Sequence, residues 1–256
     1  LTNTLNSIVR RVLGVIKDGL KLWLPFSKDG SDSSGNSNNA TLYTGKALSF
    51  DGTGDSYYVD FGNIGVSLKT LAFWINLDST TEKVLQLTST QSIEVSSGTI
   101  TLNGTWTGST IYVDATATNT IAASNWKRVV ITTTSTITVN DLELGRIGSS
   151  YGDFILSDLQ IYDVAWSQAD VTFDYENPQH LVTDNSASSI ALSNLKGYWH
   201  LSEGAGAINY DSSGEGNNGA INGATWSLKQ ATIPQLGLMD WVKSTPVSDE
   251  ITLISD

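Results

Sequence analysis

The sequence predicts an all-β fold, a sandwich or barrel of antiparallel strands, and three observations carry that expectation. Between residues 20 and 167 short apolar runs alternate with turn residues, and no helical pattern intervenes, which argues against a βαβ sheet. Thr132, Thr133 and Thr134 sit inside an apparent strand, where a β-branched side chain suits a pleated, half-wet surface. Hydrophobic residues make up 39% of the 256 and charged residues only 16%, so Ser, Thr, Asn and Gly must keep the surface polar. A chain of this length supports one large sandwich with additions or two smaller domains.

The first element is helical. Leu5, Ile8, Val9, Val12, Leu13 and Ile16 recur at helical spacing with Asn6, Arg10, Arg11 and Lys17 between them. Thr4 can cap its start and Gly19 its end. Two readings stand for this stripe: it packs on its own sandwich, or Leu5, Ile8, Val12 and Ile16 contact another chain. Strand patterns follow at 20–26, 47–51, 57–61, 70–77, 84–88, 92–95, 99–102, 111–114, 126–134, 136–139 and 154–164. Asp51-Gly52, Asn103-Gly104 and the Asp-Ser-Ser-Gly run at 32–35 supply turns. A short helix is expected over 167–177, with Ser167 as its cap and Pro178 as its stop.

A repeat search adds a second feature. Leu20-Lys21-Leu22-Trp23, followed by Asp32-Ser33-Ser34-Gly35 and Asn38-Asn39, has an echo in Leu195-Lys196-Gly197-Tyr198-Trp199, followed by Asp211-Ser212-Ser213-Gly214 and Asn217-Asn218. The organisation read from these patterns is an arm over 1–19, a sandwich over 20–178, a linker over 179–194, and a truncated repeat with a tail over 195–256. So few strands cannot bury a core alone, so the echo is expected to form β structure that leans on a neighbour.

Several blocks resemble the laminin-G-like, concanavalin A-like lectin and glucanase family of bacterial and phage proteins. They are Leu22-Trp23-Leu24-Pro25-Phe26, Asp32-Ser33-Ser34-Gly35-Asn36 and Ala47-Leu48-Ser49-Phe50-Asp51-Gly52, followed by Tyr58-Val59. Ala72-Phe73-Trp74-Ile75, Trp126-Lys127-Arg128-Val129-Val130 and the stretch 154–166 continue the family order. The resemblance implies an antiparallel jelly-roll β-sandwich over residues 20–177, with Trp23, Phe50, Phe73 and Ile161 inside. It does not imply an activity, because this fold carries lectins, enzyme domains and structural parts. Two departures stand out: Ser157-Asp158 where the family usually has an Asp-Glu pair, and an abbreviated stretch after Trp126.

Charge and composition narrow the function classes. A formal net charge of −12 offers no basic footprint for phosphates, so no nucleic-acid partner is expected. No apolar run approaches the roughly 20 residues of a membrane helix, so no membrane insertion is expected. Cysteine is absent, and the only histidines, His180 and His200, stand in unrelated contexts, which removes thiol chemistry and makes zinc an unpromising cofactor. Glycoside hydrolysis on this fold needs carboxylates across a cleft, commonly as Glu-x-Asp-x-x-Glu, and that string is missing. Asp141 with Glu143 and Asp174 with Glu176 read instead as solvated turn carboxylates, and the chain reads as a non-enzyme.

Calcium is the best cofactor candidate, with Asp32, Asn36 and Asp211 as ligands, set against simple Asx-turns at the same residues. Trp106, Tyr112 and Tyr151 are the candidate glycan-stacking aromatics. Two function classes follow. The first is a non-catalytic virion structural or decoration protein, with other virion or self subunits as partners. The second is a lectin-like module that binds cell-surface glycan, in a secreted adhesin or glycan-degrading protein. Either places the chain in a virion or outside the cell. If the N-terminal stripe joins chains, Ile8→Asp with Val12→Asp should break an assembly measured by sedimentation and leave the sandwich melt unchanged. A lowered melting temperature in an already monomeric protein would assign the stripe to its own domain.

Overall fold

The computed structural model describes residues 43–53, 57–178 and 180–230. The helix expected over the first residues with Leu5, Ile8, Val12 and Ile16, the strand expected at 20–26 with Trp23, and Asp32 and Asn36 lie outside these residues.

In chain order the strands are β1 (Tyr43–Asp51), β2 (Tyr58–Gly62), β3 (Val66–Leu77), β4 (Glu82–Gln86), β5 (Ser92–Ser96) and β6 (Thr99–Asn103). Next come β7 (Thr110–Val113), β8 (Thr116–Ala117), β9 (Trp126–Val139), β10 (Leu142–Leu144), β11 (Arg146–Ile147) and β12 (Ser150–Tyr151). The last are β13 (Asp153–Tyr162), β14 (Leu195–Trp199), β15 (Ile208–Asn209), β16 (Gly219–Asn222) and β17 (Thr225–Gln230). One helix, α1 (Gln168–Glu176), follows β13.

Fifteen of these strands form two antiparallel sheets, and β11 pairs with β12 in a separate hairpin. Sheet I runs β17-β1-β13-β3-β9-β7-β8, with β14 also paired to β13, and sheet II runs β15-β16-β2-β10-β4-β5-β6. The fold is an antiparallel jelly-roll β-sandwich, as the strand pattern and the resemblance predict.

Strand alternation explains why the sheets face each other. On β2, Val59 and Phe61 point into the core while Tyr58 and Asp60 stay half-exposed. Phe50 and Phe154 meet across the pair β1–β13 with ring centroids 4.8 Å apart. Phe50, Phe73 and Ile161 are buried, as the alternation requires. Strand β3 is buried on both faces from Thr70 to Ile75, because sheet I carries a second layer on its outer side.

That outer layer is α1 and the segment after it. Ser167 caps α1 through a capping box with Asp170, and Pro178 stands just beyond the C-cap Asn177. Val171 of the helix packs with Ala72, Val130, Tyr162, Trp166, Val182, Ile190 and Leu195 in a second apolar cluster.

Beneath this layer lies a charge. Arg128 is fully buried on β9, and its Nε and Nη2 donate to the two oxygens of Asp174 on α1, both at 2.7 Å. Its Nη1 donates to Asp158 Oδ2 at 2.9 Å and to the Asp158 carbonyl at 3.1 Å. Burial works against the guanidinium charge, but Asp174 and Asp158 outweigh it, so Arg128 is held protonated more firmly than a free arginine. Asp174 is therefore no solvated turn carboxylate; it is a buried ion-pair partner, whereas Glu176 is exposed.

Two details depart from the strand reading. The runs at 126–134 and 136–139 form one strand, β9, whose pairing with β3 shifts register between Leu68 and Thr70. Thr132 and Thr133 are buried and not half-wet; the Thr133 hydroxyl donates to the Thr107 carbonyl at 2.8 Å. The echo forms β structure that leans on the sandwich, as expected, and it enters both sheets: β14 pairs with β13, and β16 pairs with β2.

Removing one partner of a buried pair leaves the other charge uncompensated. Asp174→Ala should therefore lower unfolding free energy by about 3–5 kcal/mol, while Glu176→Gln two positions away should change it by about 0.5 kcal/mol or less. Chemical denaturation of the two variants checks this; equal effects would refute the role of the buried pair.

Candidate binding face

Two of the four sheet faces make the core, and α1 with its following segment covers a third. The outward face of sheet II remains, and among the described residues no apolar cluster forms on it.

Register sets its composition. Ala220, Asp60, Glu143, Gln86, Ser92 and Asn103 line up across β16, β2, β10, β4, β5 and β6. The neighbouring row places Asn222 beside Tyr58, and Lys83, Glu94 and Thr101 side by side. Apart from Ala220 and Lys83 these are amide, carboxylate and hydroxyl groups, Glu143 and Ser92 among them buried, on strands whose other face is core, so the scaffold holds them in fixed positions. Asn103 Nδ2 donates to Ser92 Oγ at 3.2 Å, and Gln86 Nε2 donates to Asp141 Oδ2 at 2.5 Å. Lys83 pairs with Glu94, and that hydrogen bond holds the Glu94 carboxyl below its usual range.

An aromatic group stands at one side of the rows. Arg146 begins the β11–β12 hairpin, and its guanidinium lies 3.7 Å from the Tyr58 ring centroid. Its Nε donates to Glu143 Oε2 at 2.7 Å, and its Nη2 pairs with Glu143 Oε1. The bond to Glu143 leads the interactions that raise Arg146 above the ordinary arginine range, with Tyr151 a further hydrogen-bond partner. Tyr58 and Tyr151 have ring centroids 6.4 Å apart, and the Gly148 N–H of the hairpin donates to Gln86 Oε1 at 3.1 Å. Half-exposed rings beside fixed amides and carboxylates suit a polyhydroxylated ligand: rings stack on C–H faces and polar groups bond hydroxyls.

The aromatics singled out from sequence go to three places. Tyr151 belongs to this group. Trp106 sits just past β6, where its indole N–H donates to the Asn103 carbonyl at 2.8 Å and its ring packs on the core. Tyr112 lies on β7 against the second apolar cluster of sheet I. Sequence reasoning missed Tyr58, Arg146 and Glu143. The alternation Tyr58-Val59-Asp60-Phe61 could have flagged Tyr58 as outward, but nothing local brings Arg146 to it.

Asp211, the described calcium candidate, acts as a turn organiser. Its Oδ1 accepts from the N–H groups of Tyr198 and Ser213 at 3.0 and 2.9 Å, and its Oδ2 accepts from the Asn217 N–H at 2.9 Å. Among the described residues no group of three or more His, Asp or Glu side chains could hold a metal ion. Asp141 and Glu143 are partnered by Gln86 and Arg146, which corrects their reading as solvated carboxylates. His180 and His200 are both exposed; the His200 ring lies 4.2 Å from that of Tyr198.

Compared with known proteins, the sequence matches no family model and no curated protein. Among solved structures it is similar to a candidate carbohydrate-binding protein from Bacteroides ovatus ATCC 8483, with a TM-score of 0.49 and 14% identity. That match covers 74% of this chain and 61% of the other, so the chain spans about three fifths of that protein's length. It is also similar to a heptameric SAP-like pentraxin from Limulus polyphemus, with a TM-score of 0.41, 14% identity, and coverage of 74% of this chain and 98% of that one.

One end of the sandwich gathers like charges. Burial, then Asp78, Glu82 and Asp51, raise the Asp153 carboxyl above its usual range. A raised folded-state value favours the protonated form, so this residue stabilises the fold at low pH and loses that contribution as pH rises through the carboxylate range. Asp51 and Asp153 are direct cross-strand partners, where like charges destabilise by roughly 0.2–1 kcal/mol. Asp153→Asn should raise stability by about that much at pH 7 and by progressively less on acidification. Melts across pH 3–8 check it; a gain independent of pH would sink the electrostatic account.

Proposed function

We propose that this chain is a non-catalytic carbohydrate-binding module that takes glycan on the outward face of sheet II. The observation that carries the reading is the contrast between the faces. Sheet I buries its outer side under α1, while sheet II presents ordered rows of amides, carboxylates and hydroxyls beside Tyr58, Arg146 and Tyr151. The acidic net charge suits a neutral or basic glycan better than a sulfated one. Both comparison structures share too little of the chain's identity to bear on a ligand, and the reading rests on the face itself. The virion role expected from the sequence gains no support from the fold or from the comparisons.

A glycan array followed by calorimetry tests the proposal. Tyr58→Ala and Arg146→Ala should each weaken the best glycan about ten-fold, since aromatic and cation–π contacts contribute roughly 0.5–2 kcal/mol. Tyr112→Ala should leave affinity unchanged if the fold stays intact. Absence of any glycan binding, or equal loss from Tyr112→Ala in a folded protein, would overturn the reading.

A further inference from the structure

Asparagine followed by glycine is the dipeptide in which a protein chain most readily attacks itself. Glycine has no Cβ to shield its backbone nitrogen, so that nitrogen reaches the asparagine Cγ and closes a five-membered ring. The sequence carries three such steps, Asn103-Gly104, Asn218-Gly219 and Asn222-Gly223, and the fold treats them differently.

Asn218-Gly219 is locked. The Asn218 Oδ1 accepts from the Asp211 N–H at 2.9 Å, and Gly219 is buried at the start of β16, paired with Asn209 of β15. A Cβ at Gly219 would lie 2.4 Å from the Phe61 ring, so the backbone there has no room to turn toward a side chain. Asn103-Gly104 is tethered. The Asn103 Nδ2 donates to Ser92 Oγ at 3.2 Å, and the same amide donates to the Glu94 carboxylate, so two bonds hold it against β5.

Asn222-Gly223 is neither. Asn222 is the last residue of β16, and among the described residues its side chain makes one bond, from Nδ2 to the Ala220 carbonyl of its own strand at 3.2 Å. Gly223 is exposed with a φ of 66°, at the centre of a tight turn in which the Ala224 N–H donates to the Asn222 carbonyl at 2.7 Å. Among the described residues none accepts from the Gly223 N–H. The attacking nitrogen is thus open to solvent base, and one weak bond is all that restrains the amide it attacks.

We propose that Asn222-Gly223 is a self-modification site, at which the folded chain converts an amide on the outward face of sheet II into a carboxylate. The Gly223 nitrogen gives its proton to solvent base and bonds to Asn222 Cγ, while Nδ2 takes up a proton and leaves as ammonia. The product is a succinimide. Water then adds to one of its two carbonyls, breaks that C–N bond, and leaves either aspartate or isoaspartate at position 222. The place in the fold suits the change. Asn222 pairs with Tyr58 as the final pair of β16 with β2, so the extra backbone carbon of isoaspartate falls beyond the ladder. The new carboxylate stands beside the Tyr58 ring that Arg146 covers, which adds a negative charge to a guanidinium already paired with Glu143.

The test holds the full chain in mildly alkaline buffer and follows the mass gain at each of the three asparagines by peptide mapping. An isoaspartate-specific methyltransferase counts the isomerised product. In the folded protein position 222 should react about ten-fold or more faster than 103 or 218, because those two must first break the contacts that hold them. In denaturant, where only the shared dipeptide remains, the three rates should converge to within about two-fold. Asn222→Gln, which would have to close a six-membered ring, should remove the early mass gain and leave the slow steps at 103 and 218 unchanged. Equal rates at the three sites in the folded chain, or a lead by 103 or 218, would overturn the proposal. So would a position 222 that stays intact in the folded chain while the denatured chain reacts. A lead at 222 that persists undiminished in denaturant would also overturn it, by assigning the preference to local sequence and not to the fold.

Discussion

A guanidinium buried under a helix must be neutralised or the helix cannot sit there, and Arg128 imposes this condition on sheet I. Its two carboxylate partners come from different elements, Asp174 from α1 and Asp158 from a bulge in β13. Asp158 holds its place with a φ of 57°, a left-handed conformation uncommon for a residue with a side chain, which three hydrogen-bonding neighbours stabilise. Gln160 donates to the same carboxylate, Tyr162 donates to Gln160, and Tyr198 reaches it from β14. Burial raises both phenols well above the ordinary tyrosine range, so they remain donors over the whole physiological span of pH. One cation thus fixes the helix, the bulge and the closing strand together.

The same condition divides the molecule functionally. Sheet I uses its outer face to bury Arg128 and the apolar cluster around Tyr162 and Trp166. Among the described residues sheet II buries two carboxylates, Glu82 and Glu143, but no cation. Its outward residues satisfy one another laterally, as Asn103 with Ser92, Lys83 with Glu94 and Arg146 with Glu143, while the Tyr58 ring stays half-exposed beside them. Lateral pairing orders these groups before any ligand arrives, which reduces the entropy a ligand must overcome on binding.

Much of the sandwich was legible because period-two alternation is a local signal. Ala47-Leu48-Ser49-Phe50 and Tyr58-Val59-Asp60-Phe61 each declare an inner and an outer face without help from distant residues. The N-terminus of α1 was legible for the same reason, since a capping box lies within four residues. The buried cation was not. In Trp126-Lys127-Arg128-Val129 the arginine looks like a wet-face residue, and only contacts to residues 30 and 46 positions away identify it as a core element. The binding face was half legible. Tyr151 stands out in a polar stretch, but its partners Tyr58 and Arg146 join it through pairing registers that no local pattern specifies. Tyr112, between Ile111 and Val113, packs instead on the outer cover of its own sheet.

The echo shows how a repeated motif can serve within one sandwich. Its sequence suggests a second unit, yet its strands close the first: Trp199 is as deeply buried as Phe50, and Ile221 pairs opposite Val59. Those closing contacts join residues near the start of the described sandwich to residues near its end, so the core around Phe61 and Leu159 is complete only once a motif of this kind has docked. Contacts of such long sequence separation form late and at a high entropic cost.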